Sequence, residues 1–79
     1  MALTADAERA GEVAERFMQK AARYRKARGL SVREMAEELG VSPSHVHFIE
    51  KGQRFPSMEV VFAYARVMRK RASSLLFAR

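Results

Sequence analysis

The sequence contains no cysteine, which removes disulfide frameworks, thiolate nucleophiles and cysteine-based zinc sites together. Aspartate is almost missing as well, with Asp6 the only one. A metal-dependent nuclease needs clustered carboxylates, and Glu37 and Glu38, adjacent on a helix, diverge. No apolar run approaches the roughly 18–20 residues that cross a bilayer. Met1 to Glu15 has no basic cluster followed by an apolar core, the pattern of a secretory signal. The four glycines are never grouped into a phosphate-cradling loop, and the serines stand at helix starts, where capping accounts for them. These absences lead to the expectation of a cytoplasmic, non-enzymatic chain with no cofactor, no small-molecule ligand and no membrane contact.

Positive charge is plentiful and unevenly placed. The 79 residues carry a formal net charge of +6. Met1 to Arg16 holds four acids and two bases, whereas five acids and thirteen bases follow from Phe17 onward. A basic surplus of this size suits a polyphosphate partner, because neutralised phosphates release condensed counterions. A chain this short buries a modest core and gains from a second subunit. We read residues 1–16 as an acidic N-terminal extension, helical and continuous with the first helix, and residues 17–79 as a single domain.

From about Asp6 to Arg28, the residues Ala10, Val13, Ala14, Phe17, Ala21 and Tyr24 recur at helical spacing. Thr4 or Asp6 is the expected cap, and Gly29 the expected end. The stretch is one long helix or, with fraying at Gly11, a loose lead-in to a helix from about Glu12. Ser31 and Glu34 then form a capping box, with Leu30 and Met35 as its hydrophobic staple, and this second helix stops at Gly40. Ser42 caps a third helix with Pro43 in its first position, ending near Lys51 and Gly52. Ser57 caps a fourth, to about Met68 or Lys70, and Ala72 to Phe77 form a short fifth.

The apolar positions Met35, Ala36, Leu39, Val41, Val46 and Ile49 bracket Gly40, so residues 31–52 read as two short helices joined by a tight turn. This is the layout of a helix-turn-helix, whose second helix enters a DNA major groove. Stepping about 100° per residue from Val46 puts Ile49 and Glu50 on its own side. Ser44, Phe48 and Lys51 fall opposite, with His45 and His47 on the flanks. Ser and His can bond base edges or phosphate, and Phe48 can pack on a thymine methyl or else fold back over Arg54 or Phe55. Lys51, Gln53 and Arg54 suit phosphate. The two histidines, about 200° apart on the helix, cannot chelate one metal, so no metal site is expected.

The fourth helix is apolar nearly all round, with only Glu59 and Arg66 polar, so it needs burial on nearly every side. Val60, Phe62 and Val67, joined by Leu76 and Phe77, are the expected dimer interface.

Arg25 with Gly29-Leu30-Ser31, then Met35-Ala36-Glu37-Glu38-Leu39-Gly40-Val41-Ser42, Val46, Ile49-Glu50-Lys51-Gly52 and Pro56-Ser57 resemble the lambda-repressor/Cro-like (XRE-family) helix-turn-helix domain. The resemblance implies a compact all-α, five-helix domain that binds double-stranded operator DNA as a two-fold homodimer on a palindrome and controls its own gene. It also implies that Arg25 pairs with Glu50, which the inward position of Glu50 supports. Three departures alter what carries over. Val32 replaces a common contact-making Gln, leaving Arg33 beside it to supply that contact. Pro43 replaces a base-reading Gln, shifting readout toward Ser44, His45 and Phe48 and leaving Ser42 as a cap at the DNA side. Arg69 replaces the glycine expected after the fourth helix. The competing class is an antitoxin-like or adaptor module whose partner is a protein, such as a toxin or a polymerase subunit, with DNA binding secondary.

Overall fold

Four helices of this protein end in the same hydrogen-bonded device, and that device shapes the fold. In a computed structural model, which describes residues 2–53 and 56–78, the chain forms α1 (Ala2–Ala27), α2 (Val32–Leu39), α3 (Pro43–Glu50), α4 (Met58–Met68) and α5 (Ala72–Phe77). After each of the first four, an N–H reaches back five residues: Leu30 to Arg25, Val41 to Ala36, Gln53 to Phe48 and Lys70 to Ala65, at 2.9–3.1 Å. These are Schellman closures, which turn the chain through one residue in the left-handed region. Gly29, Gly40 and Gly52 occupy that residue in three of them, and Arg69 (φ 55°, ψ 45°) in the fourth. The tight turn survives at Arg69 although its side chain disfavours it.

The helix starts are equally well specified. Ser31 accepts from the N–H of Glu34 while the Glu34 carboxylate accepts from the N–H of Ser31, a closed capping box. Those hydrogen bonds to the charged carboxylate lower the Glu34 pKa. Ser42 and Ser57 cap α3 and α4 in the same way, through the N–H groups of His45 and Val60. Helix α1 starts earlier than Thr4 or Asp6 and runs without a break through Gly11. One glycine costs about 1 kcal/mol in a helix, and the flanking Ala, Glu and Arg residues have high enough propensity to absorb it.

The core joins all five helices. Phe17 and Ala21 of α1 meet Met35, Ala36 and Leu39 of α2, Val46 and Ile49 of α3, Val60, Val61, Tyr64, Ala65 and Met68 of α4, and Leu75 of α5. Phe17 stacks edge-on against Tyr64 with ring centroids 5.1 Å apart. Helix α2 packs on α3 and α4, while α1 packs on α3 and α5. The small Ala36, fully buried, stands where α2 makes those close contacts. Toward its N-terminus α1 leaves this core: Ala5 to Glu12 are all exposed.

Within the single chain, helix α4 is buried on one arc and bare on the other, where Met58 and Phe62 are 53% and 59% exposed. Val60, expected at a subunit interface, is 6% exposed and belongs to the core of the single chain. The reason is its place on the helix, one residue before Val61 and four before Tyr64, which puts it on their arc. Phe62 points the other way, and Phe77 on α5 is 65% exposed. Val67 and Leu76 are half-buried and pack on the core.

Candidate nucleic-acid interface

Helix α3 is held from below by three contacts. Val46 and Ile49 sink into the core with 0% and 1% exposure. At the end of the helix, the Glu50 carboxylate accepts two hydrogen bonds from Arg25 of α1: Nε to Oε2 at 2.8 Å and Nη2 to Oε1 at 2.9 Å. A third Arg25 nitrogen donates to the Leu30 carbonyl at 2.9 Å, tying in the α1–α2 turn. The fork matches the planar carboxylate at both oxygens, a geometry that fixes rotation as well as distance. The bond to Glu50 also raises the Arg25 pKa, against the opposing effect of burial. With both side chains largely removed from solvent (15% and 9% exposed), the pair locks α3 to α1 at one angle.

What this lock leaves uncovered is the outward face of α3. Ser44, His47 and Lys51 are exposed, and Phe48 keeps 41% of its surface in solvent. The Phe48 ring meets His47 edge-on, centroids 5.7 Å apart, so it stands beside the imidazole on the surface. Gln53 is exposed just beyond the helix. Arg54 and Phe55 lie outside the described residues, and with them the expected phosphate contact of Arg54 and the alternative in which Phe48 folds back. His45 is half-buried on the flank. The Ser42 hydroxyl oxygen is engaged as the cap of α3. Val32 is half-buried against the core and offers no polar group, while its neighbour Arg33 is exposed in the first turn of α2.

A second tie between α1 and the helix pair escaped the reading of the sequence. Arg28 donates to Glu38 of α2 at 3.0 Å and to the Tyr24 hydroxyl at 2.7 Å. Tyr24 in turn donates to the Val67 carbonyl at 3.1 Å, reaching α4. The bonds to Tyr24 and Glu38 raise the Arg28 pKa. No spacing rule pairs residues 28 and 38, because the turn at Gly29 sets that approach. In the sequence, Tyr64 is simply one more apolar position of the fourth helix. Its buried hydroxyl has no hydrogen-bond partner among the described residues. Burial, with the nearby Glu50 charge adding to it, pushes its pKa up.

The arrangement is therefore a short helix with one anchored face and one bare face, the bare one carrying a hydroxyl, an imidazole, an aromatic ring and an ammonium. Such a face can donate to base edges and phosphates and pack on a base methyl, and it holds no grouped carboxylates or thiols for bond-breaking chemistry. No helix among the described residues is long and apolar enough to cross a membrane.

Comparison with known proteins agrees with this geometry. A helix-turn-helix family model matches residues 22–75, a span reaching from the last six residues of α1 into α5. No curated protein and no solved structure matches the chain. With over half of its residues inside that match, the chain belongs to the XRE/lambda-repressor-like helix-turn-helix family, a family of DNA-binding regulatory domains.

Proposed function

We propose that the protein is a sequence-specific transcriptional regulator that lays α3 in the major groove of a palindromic operator, binds as a homodimer, and represses its own gene. One observation carries the reading: the Arg25–Glu50 fork and the buried Val46 and Ile49 hold α3 so that Ser44, His47, Phe48 and Lys51 all face solvent. In that pose Ser44, His45 and Phe48 read bases. Lys51, Gln53, Arg54, Arg33 and the α3 N-terminus at Ser42 hold phosphates. Pro43 has no side-chain donor, which concentrates readout on the following residues. The exposed Phe62 and Phe77, with the half-buried Val67 and Leu76, are the apolar surface for a second subunit.

Fluorescence anisotropy on DNA flanking the gene tests this directly. The expected result is binding to a palindrome at least about 10³-fold tighter than to random duplex. Affinity for both should fall steeply as salt rises. Equal affinity for operator and random duplex refutes the reading. The exposed Phe62 and Phe77 also favour a second reading, an adaptor whose apolar surface takes a protein partner. Capture of such a partner by a chain that ignores its own upstream DNA would select it.

A further inference from the structure

Helix α1 carries a charge pattern that the DNA-binding face does not use. At about 100° per residue, Glu8, Glu12, Glu15, Gln19, Ala22 and Lys26 fall on one stripe, with Arg16 and Arg23 beside its second half. The stripe is therefore acidic over its first half and basic over its second. It lies about a quarter turn from Met18 and Arg25, which face Gly52 and Glu50. Glu8, Glu12, Glu15, Gln19, Arg23 and Lys26 are all exposed.

Among the described residues these charges have no ion-pair partner. Among the described residues the ion pairs are Arg25–Glu50 and Arg28–Glu38, and neither involves the stripe. Glu12 and Arg16, four apart, are spaced for an intrahelical pair but make none. The basic half is instead crowded with like charge. Lys20 donates to the carbonyls of Ser74 (2.7 Å) and Ala78 at the end of α5, and its pKa is lowered by burial and by Arg16, Lys70 and Arg23 around it. Two shallow grooves run along this half. One, of about 520 Å³, is lined by Arg16, Gln19, Lys20, Arg23 and Ala78. The other, of about 610 Å³, is lined by Gln19, Ala22, Arg23, Lys26 and Ala27. In the acidic half Ala5 to Glu12 are exposed, and Gly11 and Glu15 border a cleft with Gly52, Gln53 and Pro56 rather than a cluster of like charge among the described residues.

We propose that two copies of the chain pair antiparallel along α1, the acidic half of each seated in the basic grooves of the other. The stripe has the symmetry this requires. Setting Glu8 against Lys26 of a second copy places Glu12 beside Ala22 and Arg23, and Glu15 beside Gln19. The two-fold axis repeats every contact in reverse, giving a closed, self-complementary interface. The small Ala22, opposite Glu12, lets the helices approach there. Each ion pair at such an exposed surface is weak, so association rests on several acting together and is screened by salt. This surface is separate from the apolar one around Phe62 and Phe77, and the pairing requires no DNA.

Sedimentation of the full chain tests the pairing without DNA. We expect self-association at about 50 mM salt that weakens at least tenfold at about 500 mM. Glu8→Lys with Glu12→Lys should weaken it about tenfold or more at low salt, and so should Arg23→Glu with Lys26→Glu. Mixing the two charge-reversed chains should restore association. Because the chain has no cysteine, register is read by oxidising Glu12→Cys mixed with Ala22→Cys. The disulfide-linked mixed dimer should form faster than either self-linked one. Circular dichroism checks that each variant keeps its helix content. The proposal is overturned by a monomer at low salt, by association that ignores salt or charge reversal, by mixing that restores nothing, or by Glu12→Cys linking fastest to itself.

Discussion

Arg69 offers a test of backbone strain, because glycine there should be more stable than alanine. It closes α4 with φ 55° and ψ 45°, the left-handed conformation that Gly29, Gly40 and Gly52 take at the ends of α1, α2 and α3. An L-residue there costs about 1–2 kcal/mol through contact of Cβ with the following carbonyl. Glycine removes that contact but has more unfolded-state freedom to lose, which offsets about 0.5–1 kcal/mol. The backbone part of the gain, glycine against another uncharged residue, is about 0.5–1 kcal/mol, or about 2–8 °C in Tm for a domain of this size. Losing the guanidinium also removes a favourable charge from the helix C-terminus, an effect of about 0.3–1 kcal/mol when exposed. Arg69→Ala isolates it, because alanine loses the charge and keeps Cβ. Comparing the glycine and alanine variants by urea unfolding therefore reads the backbone effect alone, as a higher midpoint for glycine at unchanged m-value. If the two variants unfold at the same urea concentration, the left-handed turn is not strained and the reasoning fails.

Removing one member of the buried fork, by Arg25→Ala or Glu50→Ala, should cost about 2–3 kcal/mol and loosen α3, since the remaining charge is left without its partner. Chemical denaturation checks this, and a double variant should lose less than the sum of the two. Tyr64→Phe removes a buried hydroxyl that has no partner and should leave stability unchanged or raised by up to about 1 kcal/mol, whereas a loss above that figure would mean the hydroxyl is bonded. Glu34 has a folded pKa below its ordinary value, so its contribution is complete above about pH 4.3 and is lost as pH falls through the lowered folded value. Glu34→Gln should flatten the stability profile in that acid window only. On DNA, Lys51→Ala should weaken all sequences similarly, and Phe48→Ala should cost about 1–3 kcal/mol on the preferred site while erasing any preference for thymine over uracil.

The sequence by itself settled the elements wherever the physics is local. A capping box needs only Ser31 and Glu34 three residues apart, and a Schellman end needs only a residue such as Gly40 or Gly52 that tolerates the turn. The three-residue and four-residue spacing of the apolar positions marked the inner face of α3, and so its outer one. Glu50 could be assigned inward on the same grounds, and the family resemblance supplied Arg25 as its partner. What the chain order could not express was distance between remote residues. Arg28 reaches Glu38, and Lys20 reaches Ser74, only after the turns have folded.

Helix α4 shows where the local view stops. Its composition is apolar nearly all round, and composition cannot say which arc the other helices cover. Tertiary packing covers Val60 together with Val61 and Tyr64, and leaves Phe62 in solvent. The same holds for α1, whose charges read as two separate regions along the chain. Only the geometry of one continuous helix of 26 residues brings them onto a single face. Periodicity decides what a segment buries, because that depends on neighbours one turn away. The approach of distant segments decides what remains bare.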